Sequence, residues 1–218
     1  MTRLLRLSFR WKDRLGSLPD EVLEHILSYL PTKDAVATSF LSKRWKSQSL
    51  WRSQQNLRFD DKTFRQFLYS VITNRDNTLP ILSFHLNCRR HGFCYNTDFP
   101  TNVLTTKTLS VLRLKRVTLN QDDPCFDLPS LKVLHLESVA FTYYKHLMKL
   151  LSACPILEEL KSKDLTVKML TLDILISRDG LSISNLVRAD IYDDLIDLDW
   201  LHNVHHLHIK QVSIYLYE

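Results

Sequence analysis

The sequence of 218 residues contains very little glycine, and this scarcity excludes several functional classes. Its three glycines are Gly16, Gly92 and Gly180. A Walker phosphate-binding loop needs two glycines about five residues apart followed by lysine, and a dinucleotide-binding loop needs three glycines close together. The nucleophile elbow of many serine hydrolases needs the pattern Gly-x-Ser-x-Gly. None of these patterns can be written with the glycines present, so these nucleotide-binding and hydrolase signatures are excluded.

Cysteine is also scarce and follows no pattern. The cysteines Cys88, Cys94, Cys125 and Cys154 form no Cys-x-x-Cys pair and match no zinc spacing. In the first residues, MTRLLRLSFRW, arginines interrupt every apolar run, unlike the apolar core of a secretory leader. No apolar run reaches the roughly 18 residues that would indicate a membrane-spanning helix. We therefore expect reduced thiols, no cofactor, no metal, and a location in the cytoplasm, the nucleus or both.

Positive charge is concentrated at one end of the chain. The net charge is +5 and the pI is near 9.0. Residues 1–58 carry 11 Lys and Arg against 5 Asp and Glu, whereas the remaining residues carry 18 against 19. A nucleic-acid binder is one alternative, because the first residues are rich in arginine. No base-reading motif accompanies this charge, so we expect neither nucleic acid nor membrane as a partner.

The stretch from Leu15 to Trp51 predicts three short helices. Ser17 as N-cap, Pro19 in the first turn and the acids that follow it indicate the first helix start. Pro31 then ends this helix, Thr32 opens a second helix, and Ser42 is placed to cap a third. So small a unit has too little interior to bury all of its apolar side chains. Surplus apolar surface is typical of a docking module, although an ordinary helical subdomain is the alternative.

The same stretch resembles the F-box in the form common in plant F-box proteins with leucine-rich repeats. The matching segments are Asp13–Leu15, Leu18–Leu23, Ile26–Ser28, Leu30–Val36 and Leu41–Trp45. In that family the F-box docks on the Skp adaptor of a cullin–RING ubiquitin ligase, and the rest of the chain selects the substrate. The resemblance implies that the adaptor-binding residues are Leu18, Pro19, Val22, Leu23, Ile26, Leu27, Leu30, Pro31 and Val36.

One departure from the family lies at the end of this stretch. The family spaces two tryptophans as W-x-x-x-W, whereas Trp45 and Trp51 are six residues apart, as if Gln48 and Ser49 were inserted. Positions four apart share a helix face and positions six apart do not. We therefore expect a distorted C-terminal edge of the F-box.

Beyond the F-box, the pattern L-x-x-L-x-L recurs at spacings typical of leucine-rich repeats. A strand is predicted at Asn56–Asp60, a helix over residues 63–73 and a strand at Ile81–Cys88. Copies of the pattern then begin at Leu109, Leu131 and Leu157, and weaker copies begin at Val167, Leu186 and Val204. Ser162 occupies an apolar position of the third copy, and a helix is predicted over residues 143–153. Each unit is half a core and must stack on its neighbours.

These patterns predict an α+β protein with a small N-terminal three-helix F-box followed by an irregular α/β leucine-rich-repeat solenoid. We place a leader tail at residues 1–11, the F-box at 12–58 and a partial substrate-binding repeat domain at 59–218. A helix and strand expected between Asn96 and Asp98 are missing, and no clear C-terminal FBD module follows the repeats. The chain therefore resembles a shortened member of the family.

In stacked repeats the residues between the leucines point to the open face of the sheet. The residues predicted to form this candidate substrate face are Ser83, His85, Asn87, Arg113, Lys115, Val133, His135, Glu137, Glu159, Lys161, Thr171, Asp173, Arg188, Asp190, Tyr192, His206, His208 and Lys210. Any solvated sheet face has a mixed polar character of this kind, so a face without a specific partner is the alternative.

Two clusters suggest metal sites, but neither has a complete ligand pattern. The histidines at 202, 205, 206 and 208 lack further ligands at fixed spacing, which favours surface histidines. The acids between Asp190 and Asp199 lack the Gly and bidentate Glu of a calcium loop, which favours a solvated turn. No nucleophile–base–acid set is indicated, so we predict no catalytic residue.

The resemblance implies a non-catalytic substrate-recognition adaptor of an SCF-type ligase. It would bind a Skp-type adaptor, and through it a cullin, while its repeats bind a target protein. The alternative is a truncated protein that sequesters the adaptor or a partner without delivering it. Ser162, the Trp45–Trp51 spacing and the missing segments motivate this alternative.

Overall fold

The computed structural model describes residues 15, 17–41, 43–48, 50–60, 65–88, 99–119, 124–169 and 182–210. They form a mixed helical and β structure. The α-helices are α1 (Asp20–Ser28), α2 (Thr32–Ala37), α3 (Lys43–Gln48), α4 (Arg65–Asn74), α5 (Thr101–Leu104) and α6 (Tyr144–Ser152). The strands are β1 (Asn56–Asp60), β2 (Ser83–Asn87), β3 (Val111–Lys115), β4 (Thr118–Leu119), β5 (Val133–Glu137), β6 (Ala140–Tyr143), β7 (Glu159–Lys163), β8 (Thr166–Met169), β9 (Arg188–Tyr192) and β10 (His206–Ile209). Short 3₁₀ helices cover Thr38–Phe40, Leu50–Ser53 and Leu198–Trp200. Within these ranges, every helix is too short or too polar to cross a bilayer.

Helix α1 begins later than the sequence predicts. Pro19 is its N-cap and makes no side-chain capping bond, while Ser17 lies in the preceding turn, so the expected Ser17 cap is wrong. A cap at Ser17 would require a helical Leu18, and a residue directly before proline is disfavoured in the α region. Pro31 is the N-cap of α2, which begins at Thr32 as predicted. The predicted cap Ser42 lies outside the described residues.

The two tryptophans lie on separate helices. Trp45 belongs to α3 and Trp51 to the 3₁₀ helix Leu50–Ser53. Trp45 and Leu50 are buried with Leu23 and Leu27 in the small F-box core, and Trp51 packs partly against both this core and the larger one. The two tryptophans thus lie on different helices, and both still contact the F-box core.

The F-box is attached to a large sheet that begins directly after it. The Arg58 backbone N–H donates to Thr32 Oγ1 of α2 at 2.8 Å. The Gln54 side-chain amide donates to the Leu27 carbonyl at 2.7 Å. Strand β1 lies across the domain boundary predicted at residue 58, since all five of its residues pair with β2.

All strands of the two sheets run parallel. The large sheet has seven strands in the order β1-β2-β3-β5-β7-β9-β10, and the small sheet has three in the order β4-β6-β8. Three successive repeats therefore each give one strand to each sheet. The predicted leucines of β3 and β5 are fully buried, as is Ser162 in the leucine position of β7. Helix α6 supplies the predicted return segment of the second repeat.

Three strand predictions need correction. The strand predicted at Ile81–Cys88 is shorter in the structure, where β2 covers Ser83–Asn87 and the preceding Leu82 is exposed. The copy predicted from Val167 is strand β8, which pairs in the small sheet as the return strand of the third repeat. On β10, Leu207 and Ile209 remain exposed because this strand pairs on one side only, with β9.

Three non-glycine residues adopt left-handed backbone conformations at equivalent corners. Arg116, Ser138 and Asp164 follow β3, β5 and β7 and have φ angles of 56°, 53° and 52°. Each lies where the chain turns from the large sheet into the small one. The backbone N–H of Arg116 donates to the Glu137 carbonyl at 2.8 Å, and that of Ser138 donates to the Lys163 carbonyl at 2.7 Å. The corner of one repeat is thus bonded to the strand of the next.

The cysteines are not all reduced. Cys125 and Cys154 are free, and burial raises the pKa of the Cys154 thiol to about 12. Cys88 is disulfide-bonded, so the expectation of a reduced thiol is wrong at that residue.

Candidate protein-binding surfaces

Helix α1 has apolar side chains on two of its faces. Leu23 and Leu27 lie inside the F-box core, fully shielded from solvent. Val22, Ile26 and Tyr29 recur at i, i+4 and i+7, so they share a neighbouring face of the helix. All three are exposed, Tyr29 to 76%. Phe40 and Leu41 add further exposed apolar surface at the end of the 3₁₀ helix Thr38–Phe40, with Phe40 87% exposed. A small isolated domain does not need this second apolar face.

The predicted adaptor-binding residues fall into three groups. Pro19, Val22 and Ile26 are exposed; Leu18, Leu30, Pro31 and Val36 are half-buried; Leu23 and Leu27 are buried. Leu23 and Leu27 pack α1 on the F-box core and are not accessible to a partner. Val36 packs against the repeat core. The predicted set omitted Tyr29, Phe40 and Leu41, although their position between helix ends could have indicated exposure.

Arg44 fixes the start of the F-box. Its guanidinium donates to the Leu18 carbonyl at 2.8 Å and pairs with the Asp20 carboxylate. This contact joins α3 to the first turn of α1, so the exposed residues of α1 are held in a defined orientation.

On the large sheet, strand register aligns the predicted candidate substrate face into three rows. The first row is Asn56, Ser83, Val111, Val133, Glu159, Arg188 and His206; the second is Arg58, His85, Arg113, His135, Lys161, Asp190 and His208; the third is Asp60, Asn87, Lys115, Glu137, Lys163 and Tyr192. Lys210 follows β10, and Thr171 and Asp173 lie outside the described residues. The prediction omitted the β1 residues, because the first strand carries no leucine pattern, and it also omitted Val111 of β3 and Lys163 of β7.

Ion pairs and one histidine–carboxylate hydrogen bond connect neighbouring strands on this face. Lys115 Nζ contacts Glu137 Oε1 at 2.6 Å, and His135 Nε2 contacts Glu159 Oε1 at 2.6 Å. Arg188 lies 3.6 Å from the second oxygen of Glu159. Burial pushes the pKa of Glu137 upward, but the hydrogen bond and charge of Lys115, with the charges of Lys163 and Arg116, outweigh it and leave that pKa lowered. Glu137 therefore stays ionised.

Two histidines of the second row are uncharged at neutral pH. Burial, followed by the charges of Arg113 and Arg58, lowers the pKa of His85 to about 4. Burial also lowers the pKa of His135, against the opposing effect of its hydrogen bond to Glu159. In the described part of the chain, no three metal-ligating side chains come close enough to hold an ion.

Ser162 and Asp193 form a polar defect inside the repeat core. Ser162 is fully buried, and Asp193 Oδ1 accepts the Leu195 N–H at 3.2 Å, whereas its buried Oδ2 lacks a hydrogen bond among the described residues. Burial raises the pKa of Asp193, and this effect exceeds the lowering by the nearby Ser162 hydroxyl and the Leu195 N–H. The ionised carboxylate is therefore disfavoured in the folded state.

The substitution Asp193→Asn is expected to stabilise the chain at pH 7. Because the folded-state pKa is raised, the stabilising effect of the neutral acid is complete below the unfolded pKa and is lost as pH rises through the folded value. Asparagine stays neutral and keeps an oxygen for Leu195. Thermal melts should give an increase of roughly 2–4 °C at pH 7, which corresponds to about 1 kcal/mol, and no gain near pH 3. An equal gain at both values would show that ionisation is not the cause.

Comparison with known families and proteins accounts for both parts of the chain. The F-box domain model matches residues 15–54, and a Leucine Rich Repeat model matches residues 130–155. The F-box/FBD/LRR-repeat protein At4g26340 of Arabidopsis thaliana is 36% identical over 182 residues, which cover 68% of this chain and 43% of that protein. The F-box/FBD/LRR-repeat protein At4g00160 of the same plant is 32% identical over 222 residues, covering 84% of this chain and 47% of that protein. The FBD-associated F-box protein At5g56370 is 38% identical over 181 residues, covering 67% and 42%.

The chain thus spans about half the length of the curated relatives it matches. The similarity begins in the helical N-terminal unit and extends into the repeats, which confirms the resemblance seen in the sequence. The chain belongs to the family of F-box proteins with leucine-rich repeats whose FBD-type members occur in Arabidopsis thaliana.

Proposed function

We propose that this chain is a non-catalytic substrate-recognition subunit of an SCF-type cullin–RING ubiquitin ligase. Its F-box, a three-helix unit, binds a Skp-type adaptor and through it a cullin. Its repeats form a solenoid whose sheet face holds the target protein. Such a subunit accelerates ubiquitin transfer by proximity, because it places the target near a charged enzyme that it does not itself contain.

The observation that carries this proposal is the second apolar face of α1. Val22 and Ile26 are exposed although the helix already buries Leu23 and Leu27 in its own core. Exposed apolar residues grouped on one helix face are typical of a protein interface. The F-box match at residues 15–54 supports a Skp-type adaptor as the partner.

Two further parts of the proposal concern organisation and location. The F-box and the repeat domain divide the chain near residues 12–58 and 59–218, with β1 completing the repeat sheet at the boundary. The complex acts in the cytoplasm or the nucleus, without nucleic acid, membrane or cofactor.

Co-expression of the full chain with a Skp-type adaptor is expected to give a soluble complex of equal stoichiometry. The complex is then combined with a cullin, a RING subunit and charged ubiquitin-conjugating enzyme, and ubiquitin on the chain's bound partner is measured. A folded chain that never co-purifies with the adaptor would contradict the proposal.

A second candidate function is sequestration of the adaptor or a partner without ubiquitin transfer. Ser162 in a leucine position and the helix break between Trp45 and Trp51 are the observations that favour it. The same reconstitution separates the two functions, because a sequestering protein would bind the adaptor and leave its bound partner unmodified.

A further inference from the structure

The second row of the sheet face has a regular arrangement of positive charge. On five adjacent strands it reads Arg58, His85, Arg113, His135 and Lys161, so a cation stands on every second strand. Neighbouring strands lie about 4.8 Å apart, which spaces these cations at roughly 9.6 Å. The interposed histidines are half-buried and neutral at pH 7. The row therefore holds three separated cations, of which Arg58 pairs with Asp60 at 3.5 Å, and the acid Asp190 follows Lys161 on β9.

Charge pairing on this face is unequal. Three acids of the face pair with an arginine or a lysine: Asp60 with Arg58, Glu137 with Lys115, and Glu159 with Arg188. The fourth acid, Asp190, is next to Lys161 in the strand register and lies 3.9 Å from His208. Among the described residues, Arg113 and Lys161 have no carboxylate partner, and Lys161 only approaches the Tyr192 ring, at 6.0 Å. The lysines and arginines of the three rows thus outnumber the acids, and Arg113 and Lys161 lie at the middle of the second row.

The pKa values of the histidines support this picture. After burial, the charge of Arg113 is the next cause that lowers the pKa of His85, and Arg113 and Lys161 both act to lower that of His135. The cations of the row thus add to the effect of burial on both pKa values. A positive potential over a partly desolvated surface attracts anions and disfavours cations.

We propose that this row binds an acidic peptide segment in the polyproline II conformation, with carboxylates at every third residue. This conformation has three residues per turn and a rise of about 3.1 Å, so every third side chain points the same way at roughly 9.3 Å. That repeat matches the spacing of the cations, whereas same-side residues of a β-strand recur every 6.6–6.8 Å or so. The inference rests on the proposed function, because it names the class of target that the sheet face holds.

The test is a binding titration with the full chain and a dye-labelled peptide of four Glu-Pro-Ser units. A second peptide has the same composition with its four glutamates contiguous. The regular peptide is expected to bind at least 5-fold more tightly, and added salt should weaken both. Arg113→Gln and Lys161→Gln should each weaken binding of the regular peptide about 3- to 5-fold, as for exposed ion pairs, and the double variant about 10-fold or more.

Lys145→Gln is the matched control, because it removes one exposed positive charge from α6, outside the face. It should change affinity less than 2-fold. Equal affinity for the two peptides, no binding of the regular one, or an equal loss in the control would overturn the proposal. So would tighter binding of an oligothymidylate with four phosphates, which would indicate a nucleic-acid surface. Co-purification of the same variants with the Skp-type adaptor tests the F-box separately, so failure of this inference is distinct from failure of the proposed function.

Discussion

Replacing Val22 and Ile26 together by glutamate is expected to abolish co-purification with a Skp-type adaptor while the chain stays folded. Both side chains are partly exposed, Val22 to 42% and Ile26 to 38%, so their replacement leaves the F-box core intact. In an apolar interface the change removes buried apolar area and adds two carboxylates that would lack partners. We expect an affinity loss above 100-fold, or about 3 kcal/mol, measured by titration calorimetry.

The chain offers a closely matched control for this variant. Ile156 lies in a turn and Val187 directly precedes β9; they are exposed to 37% and 43% and are far along the chain from the F-box. Their double replacement by glutamate should leave adaptor affinity within 2-fold. If the two double variants lost affinity equally, the exposed face of α1 would not be the adaptor site. Leu27→Ala should act differently, because loss of a buried leucine costs about 2–5 kcal/mol of folding free energy.

Replacing Arg75 by alanine is expected to destabilise the chain and loosen the attachment of the F-box. Arg75 is only 7% exposed, and its terminal nitrogen Nη2 donates to three carbonyls: Gln54 at 3.3 Å, Leu79 at 3.0 Å and Pro80 at 3.2 Å. Burial lowers the pKa of Arg75, partly offset by the charge of Asp76. Its removal leaves the buried Gln54 carbonyl and the half-buried carbonyls of Leu79 and Pro80 without this donor, and a buried acceptor left unpaired costs about 1–3 kcal/mol. A total near 3 kcal/mol corresponds to a Tm decrease of roughly 6–12 °C.

Arg52→Ala is the control for the Arg75 variant. Arg52 is an exposed arginine nearby, and its side chain lies over the Trp51 ring at 5.8 Å. Its loss should change stability by less than about 1 kcal/mol, since exposed cation–π contacts are weak. Limited proteolysis adds a local readout, because cleavage near Gln54 should accelerate in the Arg75 variant alone. A melting temperature within 1 °C or so of wild type would show that water replaces the guanidinium at no cost.

Much of the repeat region could be predicted from the sequence because its strands carry a strict period. Strand β1 has the bounds that the sequence predicts, and β3, β5 and β7 fall within the leucine copies. Their inward leucines are buried as expected, since alternate residues of a strand point to opposite faces. Leu207 and Ile209 show the limit of this reasoning. Apolar residues in this pattern are buried on a central strand and exposed on an edge strand. The pattern itself does not indicate which strand lies at the edge.

The exposed residues of the proposed adaptor-binding face were harder to predict because α1 is apolar on two faces. Leu23 and Ile26 have similar side chains in the same helix, yet one is buried and the other exposed. The difference depends on where α2, α3 and the Leu50–Ser53 helix pack, and helix periodicity carries no such information. The structural role of Arg75 could not be predicted for a related reason. Its hydrogen-bond acceptors are backbone carbonyls, which every residue type carries.

The left-handed corners at Arg116, Ser138 and Asp164 have a consequence for how this protein unfolds. A non-glycine residue in this conformation costs roughly 1–2 kcal/mol. Arg116 and Ser138 keep their N–H groups bonded only while the following strand is in place. Removing β5 or β7 thus breaks the hydrogen bond of the corner that precedes it. The loss of one repeat therefore destabilises the repeat before it in the chain. Unfolding that removes β7 should therefore spread to β5 and β3 instead of stopping at a repeat boundary.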